Sequence, residues 1–129
     1  LPVDIVAAED CTVMFLNGKT LLNTCDNGCE FHHTLIRNLL GIVAQNNMYL
    51  NQKIKYTSRK TTREKLMAYL TDQAKMKGSN DFTIPFNRQE LADYLGVERS
   101  AMSAELGKLT KLGILQTQRS HFTLLKPLD

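Results

Sequence analysis

The sequence has few cysteines and no long apolar run, and these absences exclude several classes of protein. Its three cysteines, Cys11, Cys25 and Cys29, are too few and too unevenly spaced for a disulfide scaffold. No segment has the pattern of a signal peptide. The Gln-Asn-Asn run at residues 45–47 interrupts the most hydrophobic stretch before it reaches the length of a membrane span. We therefore expect a cytoplasmic protein with no membrane partner.

The motifs of common enzymes are also missing. The sequence contains no glycine-rich phosphate loop and no combination of residues that resembles a catalytic triad. Glu9 and Asp10 lie next to Cys11, but this trio does not suggest a catalytic pairing. We predict that the protein is not an enzyme and that this chain holds no cofactor.

Charge is distributed unevenly along a chain of ordinary composition. The 129 residues, with 43% hydrophobic and 22% charged side chains, are typical of one globular domain, or of one small domain with an appendage. The formal net charge is only +3, yet residues 51–77 contain eight Lys or Arg against Glu64 and Asp72. Such a segment is either a solvated face or a site for an anionic partner.

The first residues favour β-structure. The short runs "VDIV" and "CTVMFL" are rich in strand-forming residues and are separated by the polar pair Glu9 and Asp10. Two or three strands cannot bury their own faces, and an isolated hairpin is marginally stable in water. We therefore interpret residues 1–29 as the last strands of a larger β-domain, and we expect the front of that domain to precede this chain.

Residues 30–58 have the pattern of one long helix. Apolar residues recur at alternating spacings of four and three, which is the pattern of a coiled-coil seam, and one Asn at a core position is typical of two-stranded coiled coils. The pattern predicts a parallel homodimer, although a single helix packed on its own core is the alternative. The predicted seam consists of Ile36, Leu40, Val43, Asn47, Leu50 and Ile54.

A second helical body begins after a polar join. Thr61 followed by Glu64 matches a capping box, so a helix is predicted to start there and to end at Gly78. The preceding residues 57–62, "TSRKTT", are then a candidate hinge. In "FTIPF" apolar residues alternate, but Pro85 cannot donate to a sheet, so an edge strand is predicted.

Residues 87–125 predict a helix-turn-helix followed by a hairpin. Asn87 and Glu90 are a start signal for a helix over residues 88–95 that ends at Gly96. A second helix is predicted over residues 98–112, and "ILQTQ" and "HFTLL" then form a β-hairpin. A strand, a helix-turn-helix and a hairpin in this order indicate a winged helix. The predicted fold class is mainly α with small β elements.

The second helix has an unusually short outer face. Ser100, Ser103 and Gly107 are small, which would let the helix backbone enter the major groove of DNA, and Arg99 could then reach a guanine. The alternative is that Arg99 pairs with Glu98 or with a phosphate. The predicted DNA-contacting residues are Arg99, Ser100, Ser103, Lys108, Gln89 and Arg88.

Three quoted stretches carry a resemblance to a known family. "TTREKLMAYL", "FTIPFNRQELADYLGVERSAMSAELGKL" and "GIL" resemble the C-terminal half of the Crp/Fnr transcription regulators. "EDCTVMFLNGKTLL" resembles the end of their cyclic-nucleotide-binding-type β-roll, and "FHHTLIRNLLGIVAQNNMYLNQKI" resembles their dimerisation helix. The resemblance implies three parts: a β-roll remnant (1–29), a dimerisation helix (30–58) and a winged helix-turn-helix (59–129).

The same resemblance implies a function. It predicts a bacterial homodimer that binds double-stranded promoter DNA, contacts RNA polymerase and is reoriented by an effector in the β-roll. Many members carry glutamate where Ser100 stands and arginine where Ala104 stands, so the resemblance does not extend to the family's usual half-site. The Gly-Glu and Arg-Ser stretch that binds the phosphate of a cyclic nucleotide is not in this chain, so no effector is assigned.

A second interpretation rests on "CDNGCEFHH", residues 25–33. This stretch brings Cys25, Cys29, His32 and His33 close together in sequence, and sulfur and imidazole are ligands for zinc or iron. The spacing matches no common metal motif, so no metal site is predicted. The alternative function is a metal- or redox-responsive sensor that acts through protein contacts.

Overall fold

The computed structural model describes residues 4–19 and 29–126, which form parts of two compact units, residues 1–45 and residues 46–129. Cys25 and most of the stretch that joins the predicted β-roll to the first helix lie outside the described residues. Residues 29–126 contain four helices and three strands. They are α1 (Glu30–Thr57), α2 (Thr62–Lys77), β1 (Asp81–Thr83), α3 (Arg88–Leu95), α4 (Arg99–Lys111), β2 (Leu115–Gln118) and β3 (His121–Leu124).

The strands predicted near the N-terminus are not observed. Residues 4–17 contain no strand, and their large apolar side chains, including Ile5, Val13 and Phe15, are exposed. A strand exists only where a neighbouring strand accepts and donates its backbone hydrogen bonds, and these residues have no such neighbour among those described. The prediction of strands here was wrong, while the interpretation of residues 1–29 as the end of a β-roll stays a prediction.

Helix α1 has the predicted limits, Glu30 to Thr57. Four of its predicted seam residues are more than half exposed: Leu40 (64%), Val43 (63%), Leu50 (55%) and Ile54 (61%). Among the described residues, nothing covers these four side chains, and both the coiled-coil seam and the alternative of a helix packed on its own core stay predictions.

Helix α2 is closed at both ends by the predicted signals. The Thr61 side chain accepts from the Glu64 backbone N–H at 3.1 Å, and the Glu64 carboxylate accepts from the Thr61 N–H at 3.1 Å. The backbone N–H groups of Thr61 and Lys60, that of Thr61 first, donate to the Glu64 carboxylate and hold its pKa below the usual range. Gly78 ends the helix in the left-handed conformation, with φ of 64°. The capping box and the glycine stop are therefore confirmed.

The last turns of α1 pack on α2 and α3. Tyr56 is 2% exposed, and its ring meets Tyr69 edge to face at 5.5 Å. The Tyr56 hydroxyl donates to the Asp72 carboxylate at 3.1 Å, and Lys55 forms an ion pair with the same carboxylate. Burial, together with the Asp72 charge, raises the pKa of Tyr56. The candidate hinge at residues 57–62 therefore lies inside one compact unit and does not separate the two.

The three strands form one antiparallel sheet in the order β1-β3-β2. Strand β1 is at an edge, as predicted, and ends at Thr83, two residues before Pro85. Phe82 pairs with Phe122 on the buried face, where their rings stack at 6.3 Å. The hairpin of β2 and β3, here called the wing, closes at Arg119, whose φ is 53°.

The core of this unit joins the helices to the sheet. Ala92 on α3 is fully buried. Val97 is only partly buried at the edge of the core. The helix-turn-helix also buries Leu91, Leu95, Met102, Leu106 and Leu109.

We predict that Tyr56→Phe lowers the free energy of unfolding by about 1 kcal/mol, because it removes a buried hydroxyl that donates to a carboxylate. Tyr49→Phe is the matched control, since the Tyr49 ring also packs on Tyr94 but is 49% exposed. Urea unfolding of both variants measures the difference. Equal stability of the two variants would show that the Tyr56–Asp72 bond contributes nothing.

Candidate nucleic-acid interface

Local signals build the helix-turn-helix, residues 88–111. The Asn87 side chain accepts from the Glu90 N–H at 3.0 Å, and the Glu90 carboxylate accepts from the Asn87 N–H at 2.7 Å. Gly96 ends α3 with φ of 60°, a conformation that disfavours side chains other than glycine. The Lys65 ammonium of α2 donates to the Gly96 carbonyl at 3.3 Å. The capping box thus fixes the start of α3, while the conformation of Gly96 and its bond to Lys65 hold the turn between α3 and α4.

The outer ridge of α4 consists mostly of residues with short side chains. Met102, Leu106 and Leu109 are buried on the inner side. Helical periodicity places the opposite ridge at the exposed residues Ser100, Ala104, Gly107 and Lys111. The structure therefore confirms a short outer face. The predicted site omitted Ala104 and Lys111, which the spacing of four and three from Ser100 could have revealed.

Arg99 is the first residue of α4 and is exposed. Within the described part of the chain it forms no ion pair or hydrogen bond through its side chain. The preceding residue, Glu98, is the N-cap, and its side chain makes no capping hydrogen bond. The intramolecular Arg99–Glu98 pair is not formed, so the Arg99 guanidinium is available to an external acceptor.

Ser103 and Lys108 lie on opposite flanks of α4. Ser103 lines a groove between α4 and the wing, together with Thr110 and Thr117. Lys108 is on the flank that faces α2, and its ammonium pairs with the Glu105 carboxylate at 3.3 Å. The two residues therefore do not share one face, although both are exposed.

The two predicted residues on α3 have different surroundings. Gln89 is exposed, and its amide donates to the Asp93 carboxylate at 2.9 Å. Arg88 is half-buried, with its guanidinium 4.9 Å from the centre of the Phe122 ring and one nitrogen donating to Thr117 at 2.6 Å. The fold thus uses Arg88 to join α3 to the wing.

The other terminal nitrogen of Arg88, Nη1, is buried and has no partner among the described residues. Burial lowers the pKa of this guanidinium. The Arg88 side chain also lines the groove that contains Ser103. Arg88 is therefore beside α4 but is not on its outer ridge, and its contact with DNA stays a prediction.

The wing presents a polar outer face. His121 pairs with the Asp81 carboxylate at 2.7 Å, and the Thr123 hydroxyl donates to the same carboxylate at 2.8 Å. These two contacts, that of Thr123 first, hold the pKa of Asp81 below its usual range. Arg119, at the turn of the wing, is exposed. The predicted site did not include Arg119, although a cation at a hairpin turn beside a helix-turn-helix is a signal that the sequence contains.

The second predicted cluster lies only partly in the described chain. Cys29 is a free cysteine at the start of α1, where its carbonyl accepts from the N–H groups of His32 and His33 at 3.0 and 3.2 Å. Within residues 4–19 and 29–126, no three His, Cys, Asp or Glu side chains come together as a metal site. No helix in this part of the chain is long and apolar enough to cross a membrane.

Comparison with known proteins identifies the region that holds this interface. Residues 64–128 match the family model described as the Crp-like helix-turn-helix domain. The match begins in the first turn of α2 and includes the helix-turn-helix and the wing. No curated protein matches the chain.

We predict that Ala104→Leu weakens DNA binding without changing stability, because a longer side chain on the outer ridge keeps the α4 backbone from the floor of the groove. The free energy of unfolding should stay within about 0.5 kcal/mol, since Ala104 is exposed. Ala101→Leu is the control, because Ala101 is exposed on α4 but lies off the ridge. Fluorescence anisotropy with labelled duplex measures affinity. Unchanged binding by Ala104→Leu would contradict insertion of this ridge.

Proposed function

This chain belongs to the family of Crp-like helix-turn-helix proteins, and we propose that it is a homodimeric regulator of transcription that reads promoter DNA with α4. Family membership makes it a DNA-binding transcription regulator. The proposal adds the homodimer, the sequence readout and the control by an effector.

The proposal that α4 reads the DNA sequence rests on one observation. Apart from Lys111 at its end, the outer ridge of α4 is built from small exposed residues, and Arg99, which has no side-chain partner among the described residues, leads the same helix. A helix with this surface fits the major groove closely, and an arginine there donates two hydrogen bonds to the O6 and N7 atoms of guanine. We propose that Ser100 and Ser103 contact bases or phosphates and that Gln89, Lys108 and Arg88 contact the flanking DNA. We propose that Arg99 supplies the main base-specific contact.

The exposed seam of α1 supports a homodimer. Leu40, Val43, Leu50 and Ile54 are exposed apolar residues at coiled-coil spacing, and a second copy of the same helix would cover them. Asn47 lies at the centre of this seam, and its side-chain oxygen accepts from Asn51 at 2.6 Å. An Asn pair across a parallel two-stranded coiled coil fixes its register. The occupant that we propose is therefore a second copy of this chain.

The dimer seam and the DNA-binding unit share the end of α1. Leu50 and Ile54 are exposed on the seam, while Tyr56 on another face of the same turns is buried against Tyr69. In a dimer, the seam would therefore set the separation of the two α4 helices. We propose that an effector bound in a β-roll changes this arrangement and that RNA polymerase is a partner in the cytoplasm. The family resemblance supports these last two points.

We predict that Arg99→Ala costs about 1–3 kcal/mol of binding free energy and relaxes the preference at one base pair in each half-site. Lys111→Ala is the control, since Lys111 is an exposed cation near the other end of α4. Loss of a phosphate contact there should weaken binding to all duplexes alike, and the slope of log affinity against log salt concentration should fall by about one. The measurement is anisotropy with an operator selected from random duplexes and with its single-base variants. A uniform loss for Arg99→Ala would make it a phosphate anchor.

We predict that the protein is a dimer at micromolar concentration in light scattering, because its apolar seam needs a partner. Asn47→Leu should raise the stability of the dimer and loosen the choice of oligomer, since the Asn pair fixes the register at a cost in stability. Asn38→Leu is the control, because it makes the same change at an exposed position of α1 outside the seam. If light scattering shows that the wild-type protein is a monomer at this concentration, the proposed coiled-coil seam is refuted.

A further inference from the structure

We propose that Glu105 is a positioning residue, whose carboxylate holds Arg63 and Lys108 side by side as a paired cationic contact for the phosphates of one DNA strand. The inference rests on the proposed function and deepens it. It adds Arg63, a residue of α2 outside the helix-turn-helix, to the interface, and it assigns a role to an acidic side chain on the helix that enters DNA.

The geometry begins with the carboxylate. The Glu105 side chain is 16% exposed, and its two oxygens have different partners. Oε1 forms an ion pair with Arg63, whose Nε lies 3.2 Å away, and Oε2 accepts from the Lys108 ammonium at 3.3 Å. One carboxylate therefore links the first turn of α2 to the recognition helix α4 and neutralises one of the two positive charges.

The two cations remain accessible while their partner does not. The side chains of Arg63 and Lys108 are 45% and 68% exposed. The Arg63 contact uses Nε, so its two terminal nitrogens stay available as donors to a phosphate. Lys108 keeps further donors on its ammonium. The trio presents a net positive charge on the flank of α4 that faces α2.

Other cations of the basic segment at residues 51–77 are used differently. Lys55 pairs with Asp72, while Lys65 and Lys77 donate to the carbonyls of Gly96 and Thr83. These contacts are internal to the unit and join its elements. Arg63 differs because its partner lies on the helix whose outer ridge is proposed to enter the groove.

Whether removal of the Glu105 charge strengthens or weakens DNA binding distinguishes simple electrostatic repulsion from a positioning role. A carboxylate beside DNA repels phosphates, so removing it should strengthen binding if it does nothing else. If Glu105 positions two cations, removing its charge frees both side chains to rotate. The phosphate contacts then cost more conformational entropy, and binding weakens although the protein has become more positive.

The test compares Glu105→Gln with Glu98→Gln, which removes the same charge from an exposed side chain at the start of the same helix. Affinity is measured by fluorescence anisotropy over a series of NaCl concentrations, with the selected operator and with an unrelated duplex. Thermal unfolding of each variant measures stability.

We expect Glu98→Gln to bind both duplexes more tightly than wild type. Glu105→Gln should bind the operator about threefold to tenfold more weakly and lower the salt slope by about one, as for a lost phosphate contact. In the background Arg63→Met and Lys108→Met, Glu105→Gln should no longer weaken binding but should strengthen it as Glu98→Gln does, because the cations that it positions are gone and only the repulsion of phosphates remains.

Two results would overturn the inference. Tighter binding by Glu105→Gln, as by its control, would show that Glu105 only opposes the phosphates. Weaker binding with an unchanged salt slope and a lower melting temperature would show that Glu105 only stabilises the packing of α2 on α4. If the wild-type protein binds no duplex at any salt concentration, the proposed function itself is refuted.

Discussion

Tyr94 is packed against four other aromatic rings, and these contacts join the last turns of α1 to α2 and α3 within residues 46–129. Its ring centre lies 5.8 Å from Tyr49, 6.2 Å from Tyr56, 5.7 Å from Tyr69 and 5.0 Å from Phe86. Aromatic pairs at these distances add to the free energy that their burial provides. Because Tyr94 belongs to the helix-turn-helix and Tyr56 to the last turn of α1, the cluster fixes how the last turns of α1 pack on the helix-turn-helix within residues 46–129.

In the proposed homodimer, the last turns of α1 would have two roles. The proposed seam residues Leu50 and Ile54 are exposed, while Tyr56 is buried against α2 and α3. In that dimer, a change in pairing along the seam would be passed to the DNA-binding unit through packed side chains and not through a loose linker. Packed cores respond to such changes in discrete steps, since they tolerate few voids and little compression.

Several charged side chains of residues 51–77 make contacts that stabilise the fold. The sequence left open whether residues 51–77 were a solvated face or a site for an anion. In the structure, Lys55, Lys65 and Lys77 all have acceptors within the unit. Arg63 alone among these examples connects α2 to α4, through Glu105. A count of charges could not separate these roles, because each depends on which acceptor the fold places within reach.

The sequence by itself determined the local elements of the winged helix. Thr61 with Glu64, Asn87 with Glu90, and the glycines at 78 and 96 set helix ends, because capping bonds and left-handed glycines act over four residues or fewer. The short face of α4 followed from the same periodicity. Only the tertiary structure decided that residues 4–17 form no strand, that Arg88 stacks on Phe122, and that Glu105 meets Arg63. These outcomes depend on neighbours distant in sequence, and no local pattern encodes which side chains the packed core will bring into contact.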